Sequence, residues 1–139
     1  MTGDQNNLLL TEILHGAQAG LQAAQKVLEQ AVTPGLRREL QNQSQQFKEI
    51  AEQASHSLAE PSPANAAGAQ AWEAVQSGDL AGLSESRMAE LLINGSSMGI
   101  IELTKKLGDY ADAEPVTKGL CKRLINSEEI QIDRMKGYL

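Results

Sequence analysis

Leu8-Leu9-Leu10-Thr11-Glu12-Ile13-Leu14-His15-Gly16-Ala17-Gln18-Ala19-Gly20-Leu21-Gln22-Ala23-Ala24-Gln25-Lys26-Val27-Leu28-Glu29-Gln30-Ala31-Val32-Thr33-Pro34-Gly35 is the stretch whose periodicity decides the fold class. Leu10, Ile13, Leu14, Ala17, Leu21, Ala24, Val27, Leu28 and Ala31 recur at three- and four-residue steps, the spacing that lines one face of an α-helix. The pattern predicts a first helix from about Gln5 to Val32. It stops at Thr33-Pro34-Gly35, because proline pushes the residue before it out of helical geometry, while Thr33 can cap and Pro34 suits the first position of a new helix.

Beyond that turn a second stripe, Leu36, Leu40, Gln43, Phe47, Ile50, Ala51, Ala54 and Leu58, predicts a helix to about Ala59, ended by Glu60-Pro61-Ser62-Pro63. So short a connection makes the two helices antiparallel neighbours. From Pro61 to Gly82 the composition turns to Ala, Gly, Pro and Ser, with a short helix expected from about Asn65 to Gln76 carrying Trp72 and Val75. Twelve helical residues span roughly 18 Å, enough to carry the chain back along much of a bundle. A third helix is expected from a Ser84 or Ser86 cap to about Leu107, stopped by Gly108-Asp109. In the fourth, Asp112 caps, Glu114 and Pro115 fill the first turn, and Val116, Leu120, Leu124, Ile125, Ile132, Met135 and Leu139 form the apolar face. The expected architecture is all-α: one domain over residues 1–139, a four-helix bundle of ferritin-like connectivity with a long crossover between helices two and three.

The chain has 139 residues, of which 41% are hydrophobic and 3% aromatic, so the core is built from Leu, Ile, Val, Met and Ala. A net charge of -6, with no run of Lys or Arg beyond two, argues against nucleic acid and anionic membrane as partners, which both need clustered cations. Cys121 stands alone, which excludes an intramolecular disulfide and suits a reducing cytoplasm. No basic stretch precedes the Leu8-Leu9-Leu10 run, so no secretory signal is expected, and no segment reaches the roughly 20 apolar residues of a membrane span.

An internal echo runs through the pattern. A shift of 79 pairs Gly16 with Gly95 and Gly20 with Gly99, along with His15 with Asn94, Leu14 with Ile93, Leu21 with Ile100 and Leu28 with Leu107. A shift of 80 pairs Lys48-Glu49-Ile50 with Glu128-Glu129-Ile130. Glycine inside a helix costs about 1 kcal/mol relative to alanine, so these four need a structural return. Two are open: close approach of helices one and three, or a pocket beside Gly95, Ser96, Ser97 and Gly99.

A ferritin-like carboxylate centre takes Glu from two helices and Glu-x-x-His from the other two. Glu102 lies on the line Met88, Leu92, Gly95 and Gly99, and Glu128 on the line Cys121, Ile125, Ile132 and Met135, so periodicity turns both inward. Rotating either helix by one position would instead leave them at a solvated margin near Lys106 and Lys122. The histidines of the motif are missing: Glu52 follows Glu49 by three, Gln131 follows Glu128, and Ile132 follows Glu129. His15 and His56 complete neither motif. A set drawn from Glu12, Glu49, Glu52, Glu102 and Glu128 would offer oxygen alone and suit Mn, Ca or Mg better than a His-containing iron site. Cys121, Ser96 and Ser97 lie in helical stripes without the context of a nucleophile, and no phosphate loop or zinc spacing occurs.

Two helical hairpins around a connector with a single Trp lead into Met88-Ala89-Glu90-Leu91-Leu92-Ile93-Asn94-Gly95-Ser96-Ser97-Met98-Gly99-Ile100-Ile101 and then Glu128-Glu129-Ile130-Gln131-Ile132-Asp133-Arg134-Met135-Lys136. In this arrangement the chain resembles a family of small, uncharacterised bacterial ferritin-like four-helix-bundle proteins. The resemblance implies a left-handed crossover bundle descended from a di-metal carboxylate fold, and this sequence departs from it at both Glu-x-x-His positions. The functional expectation is a non-enzymatic bundle protein, self-associating or partner-binding, with Gly- and Ala-rich faces and the connector around Trp72 as contact surfaces. The alternatives are an Fe or Mn centre held by Glu12, Glu49, Glu102 and Glu128, and a small-ligand pocket at the glycines of helix three.

Overall fold

The computed structural model describes residues 2–58 and 72–139, and every regular element among them is a helix. The helices are α1 (Thr2–Leu28), α2 (Pro34–Ser57), the short α3 (Glu73–Ser77), α4 (Glu85–Asp109) and α5 (Pro115–Lys136). α1 ends one turn before its apolar stripe does, so Ala31 is exposed rather than buried. α2 closes on Leu58, whose backbone N–H donates to the Ala54 carbonyl. The expected stop at Glu60 to Pro63 and the first part of the expected connector helix, 65–71, lie outside the described residues. Ser84 caps α4 as expected, its hydroxyl accepting from the Arg87 N–H at 3.1 Å. For α5 the cap position falls to Glu114, with Pro115 next, and not to Asp112.

Hydrogen bonds at the two ends fix how the helices run. At one end Glu85, in the first turn of α4, accepts from the backbone N–H and the hydroxyl of Thr33, in the turn that follows α1. At the other end Gln5 and Asn6 of α1 accept from the backbone N–H groups of Asp112 and Glu114, after the end of α4, at 2.9 and 3.0 Å. α1 and α4 are therefore antiparallel. Glu39 and Glu49 of α2 meet Arg134 and Arg123 of α5 at 3.9 and 3.0 Å, which makes that pair antiparallel too. Such half-exposed ion pairs report register more than stability.

The closest partnerships are α1 with α2 and α4 with α5, each joined by a short turn, while α1 also packs on α4 and α5, and α2 on α5. α2 ends beside the start of α1, whereas α4 starts beside its end. The chain between Leu58 and Glu85 thus begins at one end of the helices and finishes at the other. Its described portion is tied to α1: Lys26 Nζ donates to the carbonyls of Gln76 and Gly78, and Gln76 Nε2 to the Ala19 carbonyl.

Buried apolar side chains fall into two clusters. Val27, Leu36, Leu40, Leu92 and Met135 gather at the end where α1 finishes, joined by Trp72, Val75 and Leu80 of the connector. Leu9, Ile13, Phe47, Ile50, Leu103 and Leu124 fill the opposite end. Between them three of the long helices change character. Gln43 sits between Leu40 and Phe47 on α2, Ser96 and Gly99 between Leu92 and Leu103 on α4, and Ser127, Glu128 and Gln131 between Leu124 and Met135 on α5, all buried. Among the described residues no helix is long and apolar enough to cross a membrane.

Phe47 is the largest buried side chain of the second cluster, and a Cβ at Gly20 would approach its ring to 3.2 Å, so α1 supplies a notch that the ring fills. Phe47→Ala should therefore lower unfolding free energy in urea by about 3–5 kcal/mol.

Candidate functional site

The polar level at mid-height is built on two glycines. Gly95 and Gly99 lie one turn apart on the buried face of α4. A Cβ at Gly95 would stand 2.5 Å from Trp72 Cζ3, and one at Gly99 would stand 2.6 and 2.9 Å from the two carboxyl oxygens of Glu128. Both are shorter than a real Cβ contact, so a side chain at either position would have to displace the group it meets. The missing side chains therefore cut two adjoining notches, one filled by the Trp72 ring and one by the Glu128 carboxyl, which are 0% and 1% exposed. This corrects both expectations for these residues. The α4 glycines receive Trp72 and Glu128 rather than α1, and the space is occupied rather than an open pocket. On α1, Gly16 faces Leu124 and Gly20 faces Phe47.

Around the carboxyl the hydrogen-bond accounting is uneven. Gln131 Nε2 donates to Ser96 Oγ at 3.0 Å, a fully internal bond between α5 and α4. Glu128 Oε2, Gln131 Oε1 and Gln43 Oε1 accept from nothing, and Trp72 Nε1 donates to nothing. Three orphan acceptors against one orphan donor make the level rich in acceptors, and a buried polar atom left unpaired is costly. A proton on Glu128 turns one acceptor into a donor.

Burial pushes in that direction, raising the Glu128 carboxyl well above the ordinary carboxylate range. The Trp72 indole N–H acts the other way, but the pair stops short of hydrogen-bond geometry, so desolvation dominates. Burial therefore favours the protonated form of Glu128 at mid-height. Two turns along α5, burial first and then the charge of Glu128 push the Cys121 thiol up to about 12, against a small pull from Lys122. Cys121 is a core group beside the Leu103 carbonyl and not a nucleophile.

The four glutamates expected to hold a metal are not brought together. Glu128 faces inward. Glu102 does not: the buried line steps from Gly99 by four to Leu103, leaving Glu102 at the edge, its side chain 31% exposed and 3.7 Å from Lys105. Lys106 instead reaches over the Tyr110 ring. Glu49 is half-buried and pairs with Arg123. Glu12 is buried, but Gly16 lies against Leu124, so Glu12 sits one turn to one side of that contact and Glu128 one turn to the other. Two turns separate them along the axis, about 11 Å.

Among the described residues no three of His, Cys, Asp and Glu gather where they could hold an ion. The residues as placed do not fit a di-iron or di-manganese centre, which needs bridging carboxylates and imidazoles at one level. Gln131, and not a histidine, stands three residues after Glu128, and its amide serves Ser96. Elsewhere an open surface groove of about 410 Å³ runs between Leu10, His56, Val116, Leu120 and Arg123.

Sequence reasoning placed Glu128 inward but missed that Gln43, Ser96, Gln131 and Trp72 share its level. Gln43 standing in a leucine stripe, and Gln131 three residues after Glu128, were the available signals.

A carboxyl whose folded-state value lies above its unfolded value contributes fully below the unfolded value, here 4.5, and that contribution is lost as pH rises toward the folded value. Stability in urea should accordingly fall from about pH 4.5 toward neutrality in the wild type. Glu128→Gln, which keeps the shape and cannot ionise, should flatten that slope and be the more stable protein at neutral pH. No protein-family model, curated protein or solved structure matches the chain, so its reading rests on this geometry.

Proposed function

We propose that this chain is a non-enzymatic helical-bundle protein that keeps a ferritin-like arrangement of four long helices and works by associating with copies of itself. The directions of the helices support the arrangement. α2 and α4 run the same way without packing as a pair, and the chain between them changes ends, as a crossover connection requires. The mid-height level supports a structural rather than a catalytic role, because Trp72 and Glu128 fill the notches of α4 themselves.

The observation that carries self-association is on the outer face of α4. Met98 and Ile101, one turn apart, are 52% and 54% exposed, an unusual placement for two large apolar side chains on a helix otherwise polar on that side. Asn94 stands one turn before Met98 and Lys105 one turn after Ile101, both exposed. A second copy laid antiparallel about Met98 and Ile101 sets Met98 against Ile101 and Asn94 against Lys105 in both directions, the self-complementarity of a two-fold interface. The connector around Trp72 is not part of this surface, since Trp72 is buried. A carboxylate-bound Fe or Mn centre finds less support, with Glu49 and Glu102 paired to Arg123 and Lys105 and Glu12 two turns from Glu128.

Light scattering coupled to size exclusion should report a dimer at high protein concentration. Met98→Lys combined with Ile101→Lys should give a monomer of unchanged helicity by circular dichroism. A wild-type monomer across the accessible concentration range would remove the basis of the proposal.

A further inference from the structure

The seat of Trp72 has the properties of a ligand site occupied by the chain's own side chain. Its floor is the notch at Gly95, where the backbone of α4 lies against the ring with no side chain between. Its far wall is the Glu128 carboxyl in the adjoining notch at Gly99, with Oε2 unpartnered and the residue 1% exposed. Gln131 Oε1 and Gln43 Oε1, on buried side chains at the same level of α5 and α2, are also unpartnered acceptors. Trp72 brings the ring but one N–H, and that N–H completes no hydrogen bond. The fit of the ring is close, and the fit of the polar edge is not.

We infer that this seat is a cryptic binding site for a planar aromatic molecule bearing several N–H donors, such as an aromatic amidine, and that Trp72 is its intramolecular occupant. An amidinium-type head presents a donor fork that the Glu128 carboxyl accepts in two parallel bonds once its proton is released to solvent on binding, which the single indole N–H cannot bring about. Its ring would lie where the Trp72 ring lies, on the Gly95 backbone. The excess of acceptors over donors sets the ligand's chemistry: a hydrogen-bond acceptor or an anion would add to the surplus rather than relieve it.

The occupant can leave without dismantling the long helices. Trp72 is followed by α3, five residues long and too short to be stable by itself, tied to α1 by Lys26 and Gln76 and packed through Val75 and the following Leu80 on the cluster that holds Trp72. Undocking this one short element exposes three buried side chains, Trp72, Val75 and Leu80, and leaves the long helices packed, so it opens at a fraction of the cost of global unfolding. Binding in the wild type therefore competes with Trp72, and the apparent affinity is reduced by the fraction of molecules in which the seat is vacant.

The test uses benzamidine as the probe on the full chain. Trp72→Gly empties the seat, so benzamidine should bind that variant by calorimetry at least about tenfold more tightly than it binds the wild type, whose seat is mostly filled. Adding Gly95→Leu to Trp72→Gly should abolish binding by blocking the floor, and adding Glu128→Gln should weaken it by removing the carboxylate. In the wild type, displacement should shift emission of Trp72, the single tryptophan, to the red as benzamidine is added. This fluorescence arm stands even if Trp72→Gly does not fold. Unchanged Trp72 emission at saturating probe, or equal binding to Trp72→Gly with and without Gly95→Leu, would overturn the inference. So would toluene, which has the ring without the donors, binding Trp72→Gly as well as benzamidine.

Discussion

Burial of one carboxyl group against a bare stretch of helix backbone is the constraint on which the rest of this structure depends. Glu128 fits where it does because Gly99 has no side chain, and Gly99 is bearable inside α4 because Glu128 fills the space it leaves. The same holds one turn away for Gly95 and Trp72. Together the two contacts fix the register of α5 on α4 and dock the connector between the hairpins. They also part the core into two apolar clusters with a polar level between them. A carboxylate in such a place would be expensive; a neutral acid is far less so.

The internal echo gives this contact a counterpart. In the first hairpin Gly20 of α1 admits Phe47 from α2, and in the second Gly99 of α4 admits Glu128 from α5. Gly20 and Gly99 are the pair that the shift of 79 aligns. In each hairpin the second glycine of the outgoing helix receives a side chain from the returning one, a ring in one case and a carboxyl in the other. One hairpin thus closes on apolar packing and the other on a polar group.

Much of this was legible in the residues, and the failures have physical causes. The stripes of α1 and α2, the turn at Thr33-Pro34-Gly35 and the Ser84 cap all follow from local rules, and the helices obey them. The stripe leaves Glu128 either inward or, with the helix rotated by one position, at a solvated margin, and packing chose the inward setting. Glu102 was misplaced because a step of three or of four from Gly99 is equally helical, and packing chose Leu103. Ala31 continues an apolar pattern past the point where tertiary contact ends the helix. What filled the glycine notches could not be read at all, since the answer lies 23 residues away in Trp72 and 29 residues away in Glu128. Periodicity tells which way a side chain points and not what it meets.

The central claim is that Glu128 is a proton-bearing acid inside the folded protein, and carboxyl-carbon NMR of glutamate-labelled protein tests it most directly. Across a titration through neutral pH the Glu128 signal, assigned by its loss in Glu128→Gln, should keep the shift of a neutral carboxylic acid while the exposed glutamates have already ionised. A Glu128 signal that titrates together with the exposed glutamates would contradict the account.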